Sequence, residues 1–152
     1  MPEHKVRLEE LLPFIAERLA AGQDVRFTPR GISMCPMLRD GRDIVVISPV
    51  KGSLKKYDLP LYRREDGQFV LHRIIACGHN EYTCIGDNQF VSEHGVRQEQ
   101  MIGTVSAFVR NGRERSVTDL DYWLYCRLWH FSRPVRHLWR RGIGWIRRSL
   151  KK

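Results

Sequence analysis

The sequence predicts a mainly β, antiparallel fold with one helix before the strands and amphipathic helices after them. Between residues 24 and 110, short runs of β-branched and aromatic residues alternate with Gly, Asp, Asn or Pro, which is typical of strands joined by turns. The segments on either side repeat apolar residues at helical spacing. With 152 residues, 42% of them hydrophobic, the chain is long enough for one domain with a core and an appendage.

The N-terminal helix is indicated by five apolar residues at helical spacing: Leu8, Leu11, Leu12, Ile15 and Leu19. Gly22 is placed to end this helix, and Pro13 predicts a kink or a restart within it. Neither half approaches the roughly 20 apolar residues of a membrane span. The charged N-terminus also has no long apolar stretch of the kind found in secretory leaders. We therefore expect a cytoplasmic chain without a signal peptide or transmembrane helix.

Six strands are predicted in the middle of the chain, at residues 25–28, 44–48, 59–64, 68–76, 81–85 and 104–110. Residues 65–68 contain Asp-Gly, the usual hairpin signal, and residues 78–80 form a second turn. Because side chains alternate along a strand, His72 is expected to share a face with Val70 and Ile74. An antiparallel, partly closed β fold follows from this order.

A serine lies in the turn that follows the first predicted strand. Ser33 stands between Gly31 and Pro36, so the backbone bends sharply and the hydroxyl can project as a nucleophile. Most turn serines bond only their own backbone, so this motif alone is weak. Downstream, His72 in a strand and Asp87 in a Gly-Asp-Asn turn complete an order that could form a catalytic triad.

These residues and their neighbours resemble, in order, the motifs of type I signal peptidases and SOS-repressor autopeptidases. The motifs are Ser33-Met34-x-Pro36, Asp43-Ile44-Val45, Asp58-Leu59-Pro60-Leu61, His72-Arg73, Gly86-Asp87-Asn88 and Ile102-Gly103. The resemblance covers about residues 26–108. Histidine before Arg73 is similar to the endoplasmic-reticulum type of signal peptidase, whereas most bacterial signal peptidases have lysine there. The resemblance implies the antiparallel β fold of that superfamily, here in a soluble bacterial relative.

The resemblance also implies catalytic roles. Ser33 would be the nucleophile, His72 the general base and then the acid, and Asp87 the residue that orients the imidazole. SOS-repressor relatives use lysine as the base, and Lys51, Lys55 and Lys56 are the competing candidates. Their position in a Lys-rich loop argues for exposure and against that role.

Three further residues would support the nucleophile turn. Gly31 occupies the position where many bacterial signal peptidases have a second oxyanion-stabilising serine, so backbone groups such as the Ser33 N–H must supply the donors. Met34 is expected to pack beneath the nucleophile. Pro36 is expected to rigidify the turn.

The four cysteines are expected to be reduced. Cys77 and Cys84 flank a predicted hairpin with His79 nearby, which leaves a metal site or a disulfide open. Their spacing lacks the paired short intervals of zinc sites. We predict no metal and no cofactor.

The positive charge is concentrated in a C-terminal tail. Residues 122–152 contain nine Lys or Arg and no acid, while the rest of the chain contains 17 residues of each sign. We predict a peptidase domain at residues 1–118 and a helical tail at residues 119–152, which holds all four tryptophans and is divided by Pro134. One face of the second helix is apolar and arginines occupy the other, a pattern typical of anionic membrane surfaces. A helix docked on the body or on a partner is the alternative, and nucleic-acid binding is a weaker option.

The predicted function is a serine endopeptidase that cleaves a precursor or leader peptide and is peripheral on the inner face of the membrane. Self-cleavage, as in SOS-repressor relatives, is an alternative with limited support because no DNA-binding helix-turn-helix precedes the domain. A non-catalytic peptide-binding or membrane-adaptor module is the alternative outside enzymes.

Overall fold

The computed structural model describes the backbone of residues 8–149 and the side chains of residues 11–142. The fold is mainly β with three helices, as predicted. The elements are α1 (Leu8–Ala20), β1 (Val25–Phe27), β2 (Ile44–Ser48), β3 (Pro60–Arg63), β4 (Phe69–Leu71), β5 (Arg73–Cys77), β6 (Glu81–Ile85), β7 (Glu93–Arg97), a short 3-10 helix (Gln98–Gln100), β8 (Met101–Arg110), β9 (Arg113–Ser116), α2 (Leu120–Phe131) and α3 (Arg133–Ser149).

Helix α1 covers one side of the main sheet. It is a single helix that contains Pro13, and its buried side chains are Leu12, Ile15 and Leu19. Gly22 has a φ of +78°, and its N–H donates to the Leu19 carbonyl at 3.0 Å. Glycine adopts this left-handed conformation without steric cost, so the helix ends where the sequence predicts.

The main sheet has six strands, and every pairing in it is antiparallel. Its order is β1-β2-β8-β3-β4, and β9 pairs with the far end of β8. β4 is therefore an edge strand. The inward side chains of this sheet pack against α1, α2 and the segment after Ser33 to form the larger core.

A second sheet of three strands, β5-β6-β7, has its own small core. The predicted strand at 68–76 is thus wrong as a single element, because β4 pairs with β3 whereas β5 pairs with β6. The break falls at His72. The chain leaves the main sheet there because Ile74 exchanges backbone hydrogen bonds with Tyr57 and Asp58, at 2.8 and 2.9 Å.

Helix α2 belongs to the body of the protein. Its buried residues, Tyr122 and Cys126, join the larger core, so the predicted domain boundary after residue 118 falls inside one packed unit. Pro134 lies in the first turn of α3, where a proline costs no helical hydrogen bond. Within residues 8–149, no helix combines the length and apolar character needed to cross a membrane.

Candidate active site

The turn that contains Ser33 is held by contacts on both sides of the serine. Gly31 has a φ of +104°, and its N–H donates to Asp40 Oδ1 at 2.9 Å. Met34 is 4% exposed and belongs to the larger core, which anchors the turn from below. Pro36 is exposed and follows a cis peptide bond, and its carbonyl accepts a hydrogen bond from Arg110 Nη2 at 2.6 Å. The turn is therefore fixed on both sides of Ser33.

Ser33 is half-buried, and neither its hydroxyl nor its backbone N–H makes a hydrogen bond to any described residue. Both groups thus remain available to a ligand. A hydroxyl and an N–H on the same residue are the pair that an acyl-transfer site requires, one to attack and one to stabilise the oxyanion.

Ser33 and His72 line the same cavity, which has a volume of about 210 Å³. They arrive there from distant parts of the chain, one from the turn after β1 and the other from the junction between the two sheets. No hydrogen bond joins their side chains, and such catalytic contacts often tighten only when substrate binds. The rest of the wall is mixed: apolar side chains such as Phe27, Leu61 and Phe69 lie beside three arginines and a glutamine, namely Arg30, Arg39, Arg64 and Gln89.

The other side of the His72 ring faces a buried tyrosine and a carboxylate. Tyr62 O–H donates to Glu93 Oε2 at 2.7 Å, and the same tyrosine oxygen lies 3.4 Å from His72 Nδ1. Because tyrosine has one proton and gives it to Glu93, its oxygen is an acceptor toward the imidazole. Nδ1 then carries the ring proton, which leaves Nε2 as the basic nitrogen.

Glu93 is fixed in turn by Arg64. The guanidinium donates to both carboxylate oxygens, with Nη2 to Oε2 at 2.8 Å and Nε to Oε1 at 2.9 Å. Burial on its own raises the pKa of the Glu93 carboxyl, but the hydrogen bonds from Arg64 and Tyr62 outweigh it, so the pKa is lowered overall. Glu93 is therefore a carboxylate at neutral pH, and the Tyr62 hydroxyl lies between it and His72.

The environment keeps His72 neutral. Burial lowers the pKa of its imidazole to about 4, and the positive charge of Arg64 adds to this effect, while the charges of Glu93 and Asp87 oppose it. A neutral imidazole is the form that can accept a proton from serine. Burial dominates the pKa shift because His72, at the junction between the two sheets, is only 4% exposed.

The Asp87 carboxylate is bound by Arg73 and Tyr125. Its side chain is fully buried, and both oxygens bond to Arg73, with Nε to Oδ1 and Nη2 to Oδ2 each at 2.8 Å. Tyr125 O–H donates to Oδ2 at 2.9 Å. No hydrogen bond to His72 is formed in the described part of the chain, so the prediction that Asp87 orients the imidazole needs correction. Arg73, the next residue in the chain, occupies both carboxylate oxygens instead.

The loop that contains Asp87 nevertheless supports the nucleophile turn. The Asn88 N–H donates to the Ser33 carbonyl at 2.8 Å, and Asn88 Nδ2 donates to the Ile32 carbonyl at 3.1 Å. Gly86 packs so closely that a Cβ there would lie 2.6 Å from the Ser33 carbonyl oxygen. Only glycine permits this approach, which explains the glycine of the Gly-Asp-Asn sequence as a structural requirement.

The competing candidates lie away from this cavity. Lys51, Lys55 and Lys56 are exposed, and none of them lines it. All four cysteines are free, and in register Cys77 pairs with Tyr82 rather than with Cys84. Among the described residues, no group of three or more potential ligands is arranged to hold a metal.

Sequence reasoning missed Tyr62 and Glu93. A signal for the tyrosine was present, because the Asp-Gly turn sets a hairpin register in which Tyr62 pairs with Val70, two residues before His72 on the same face. No comparable signal existed for Glu93, which begins a strand of the other sheet.

The chain therefore presents a serine with unengaged hydroxyl and N–H groups and a neutral histidine in one cavity, with a tyrosine and a carboxylate behind the histidine. These are the types of group that nucleophilic acyl transfer uses. No protein-family model matches the chain, and no curated protein matches it.

Proposed function

We propose that the chain is a serine endopeptidase, with the fold and mechanism of the type I signal peptidases that its motifs resemble, and that it cleaves a precursor or leader peptide on the cytoplasmic side of the membrane. The observation that carries the proposal is the shared cavity of Ser33 and His72. Two residues that the resemblance pairs as nucleophile and base converge there from separate segments of the chain.

The reaction would follow the serine acyl-transfer scheme. His72 Nε2 takes the hydroxyl proton as Ser33 Oγ attacks the substrate carbonyl, and the Ser33 N–H donates to the oxyanion. His72 then returns the proton to the leaving amine, and the acyl group stays on Oγ. A water molecule, deprotonated by the same imidazole, hydrolyses this ester and restores the serine.

Tyr62 and Glu93 act as positioning residues in this scheme. The tyrosine oxygen holds the proton on Nδ1, and the negative charge of Glu93 stabilises the imidazolium that forms when Ser33 is deprotonated. The carboxylate of this site is thus Glu93, acting through a hydroxyl, rather than Asp87.

The surroundings of the cavity favour a peptide substrate. Its volume of about 210 Å³ is below the roughly 300–1,000 Å³ of pockets that enclose a whole small molecule. β4, which contributes Phe69, Val70 and Leu71 to the wall, is an edge strand with free backbone groups. An extended peptide can add to such an edge while one side chain enters the cavity.

The test is digestion of a leader-peptide library followed by mass spectrometry. Ser33→Ala and His72→Ala are each expected to lower kcat/KM by roughly 10³-fold or more while the far-UV circular dichroism stays unchanged. The exposed Ser53→Ala is the matched control and should cleave like the unmodified protein. Cleavage by Ser33→Ala at the unmodified rate would remove the proposed mechanism.

A further inference from the structure

The two C-terminal helices share a continuous apolar surface that faces solvent. We call it the outer stripe, and it consists of Leu124, Leu128, Phe131, Val135, Leu138 and Trp139. These side chains are between 47% and 71% exposed. Soluble proteins rarely leave so many large apolar side chains together in water, so such a patch marks a site of interaction.

The spacing explains why the stripe is continuous. Steps of three and four residues keep one face of a helix, and the steps from Leu124 through Phe131 to Leu138 continue across the short break at Ser132. The opposite face of α2 buries Tyr122 and Cys126 in the core. α2 is thus apolar on two faces, and packing among the side chains of residues 11–142 accounts for only one of them.

The arginines near the stripe divide into two groups. Arg136 Nη2 donates to the Trp129 carbonyl and Arg140 Nη2 to Asn88 Oδ1, each at 2.6 Å, so these two side chains hold α3 on the body. Arg127 stacks on Trp123 at 3.6 Å, and Arg141 is exposed. The residues from 122 onward contain no acid, so the formal charges of this region are all positive.

We propose that the outer stripe docks on the surface of an anionic phospholipid membrane, with α2 and α3 lying in the plane of the interface. The apolar side chains of the outer stripe enter the headgroup and acyl boundary, Trp139 occupies the interface that tryptophan favours, and the basic side chains face anionic headgroups. A second copy of the chain is a poorer occupant, since it would bring two acid-free regions of like charge together.

Vesicle sedimentation with the full chain tests this proposal. The protein should sediment with vesicles of equimolar phosphatidylcholine and phosphatidylglycerol and much less with vesicles of phosphatidylcholine alone. High salt should weaken binding without abolishing it, because the apolar contribution is not screened. The double variant Leu128→Gln, Leu138→Gln should lower the partition coefficient by roughly tenfold or more, since two leucine side chains no longer leave water.

Val91→Gln is the matched control. Val91 is 83% exposed but lies outside the outer stripe, so its variant should bind vesicles like the unmodified chain. Because Leu128 and Leu138 are themselves exposed, the double variant should keep its thermal unfolding midpoint and its peptide cleavage. Unchanged vesicle binding by the double variant overturns the proposal. The proposal is also overturned if sedimentation equilibrium shows a stable dimer of the unmodified chain and only monomers of the double variant.

Discussion

Replacing Asp87 by asparagine tests whether this residue serves the fold or the chemistry. In the structure the carboxylate neutralises Arg73, whose side chain is only 2% exposed. Burial on its own lowers the pKa of the Arg73 guanidinium, but the charge and hydrogen bonds of Asp87, together with Tyr122 and Cys126, outweigh it and raise the pKa well above its ordinary value. Asparagine removes the charge but keeps the size, so the guanidinium would remain buried and uncompensated.

The expected cost is large. Breaking a buried ion pair by removing one partner costs about 3–5 kcal/mol. Domains of this size are stable by only about 5–15 kcal/mol, so the variant would lose a substantial part of its stability. The hydrogen bond from Tyr125 to residue 87 is weakened at the same time, because its acceptor is no longer charged. Arg73 keeps its bonds to Tyr122 and Cys126, which limits the loss.

Urea unfolding followed by tryptophan fluorescence measures the effect. Asp121→Asn is the control, because Asp121 pairs with Arg115 on the surface, where ion pairs contribute little. Asp87→Asn should unfold at a much lower urea concentration with an unchanged dependence on urea, and below that transition it should still cleave peptides. If it is as stable as Asp121→Asn but inactive, Asp87 acts in catalysis and our assignment fails.

Three other predictions follow from the same contacts. Since His72 must be neutral and burial lowers its pKa to about 4, kcat/KM should rise with pH through about 4 and be level near neutrality; an inflection above pH 8 would indicate lysine. Glu93→Gln should lower kcat and move this inflection to lower pH, because the charge that raises the His72 pKa is gone. An unchanged pH profile would show that Glu93 does not act on His72. A chain ending at Thr118 should fail to fold cooperatively, as it lacks Tyr122 and the rest of α2, whereas one ending at Ser132 should fold, as measured by thermal circular dichroism.

Strand positions were predictable where the chemistry is local. The bounds of β2 and β6 match those expected from β-branched runs closed by turn residues, and the Asp66-Gly67 turn forms as expected, with the Arg64 N–H on the Gln68 carbonyl at 2.8 Å. β7 and β9 were missed because their sequences are polar. They form strands because β6 and β8 offer unpaired edges, which is a tertiary cause.

The site was predictable in part for the same reason. Ser33 and His72 are in motifs whose residue types limit the chemistry, so the sequence alone could nominate them. Packing decides which group pairs with a buried carboxylate. From the sequence alone, either His72 or Arg73 could have been the partner of Asp87. The arginine takes it because a bidentate pair compensates two buried charges better than a single bond to a neutral imidazole.

The outer stripe and the nucleophile turn are joined by direct contacts. Arg140 of α3 donates to Asn88, which in turn donates to the carbonyls of Ile32 and Ser33. A cavity of about 530 Å³ between them is lined by Pro36 on one side and Trp139 on the other. Hydrogen bonds therefore fix the distance between the outer stripe and the turn that contains Ser33. A flexible linker would leave this distance variable. A membrane docked on the outer stripe would hold the turn close to the headgroups, where the leader peptide of the proposed function, adsorbed on the same surface, would reach Ser33.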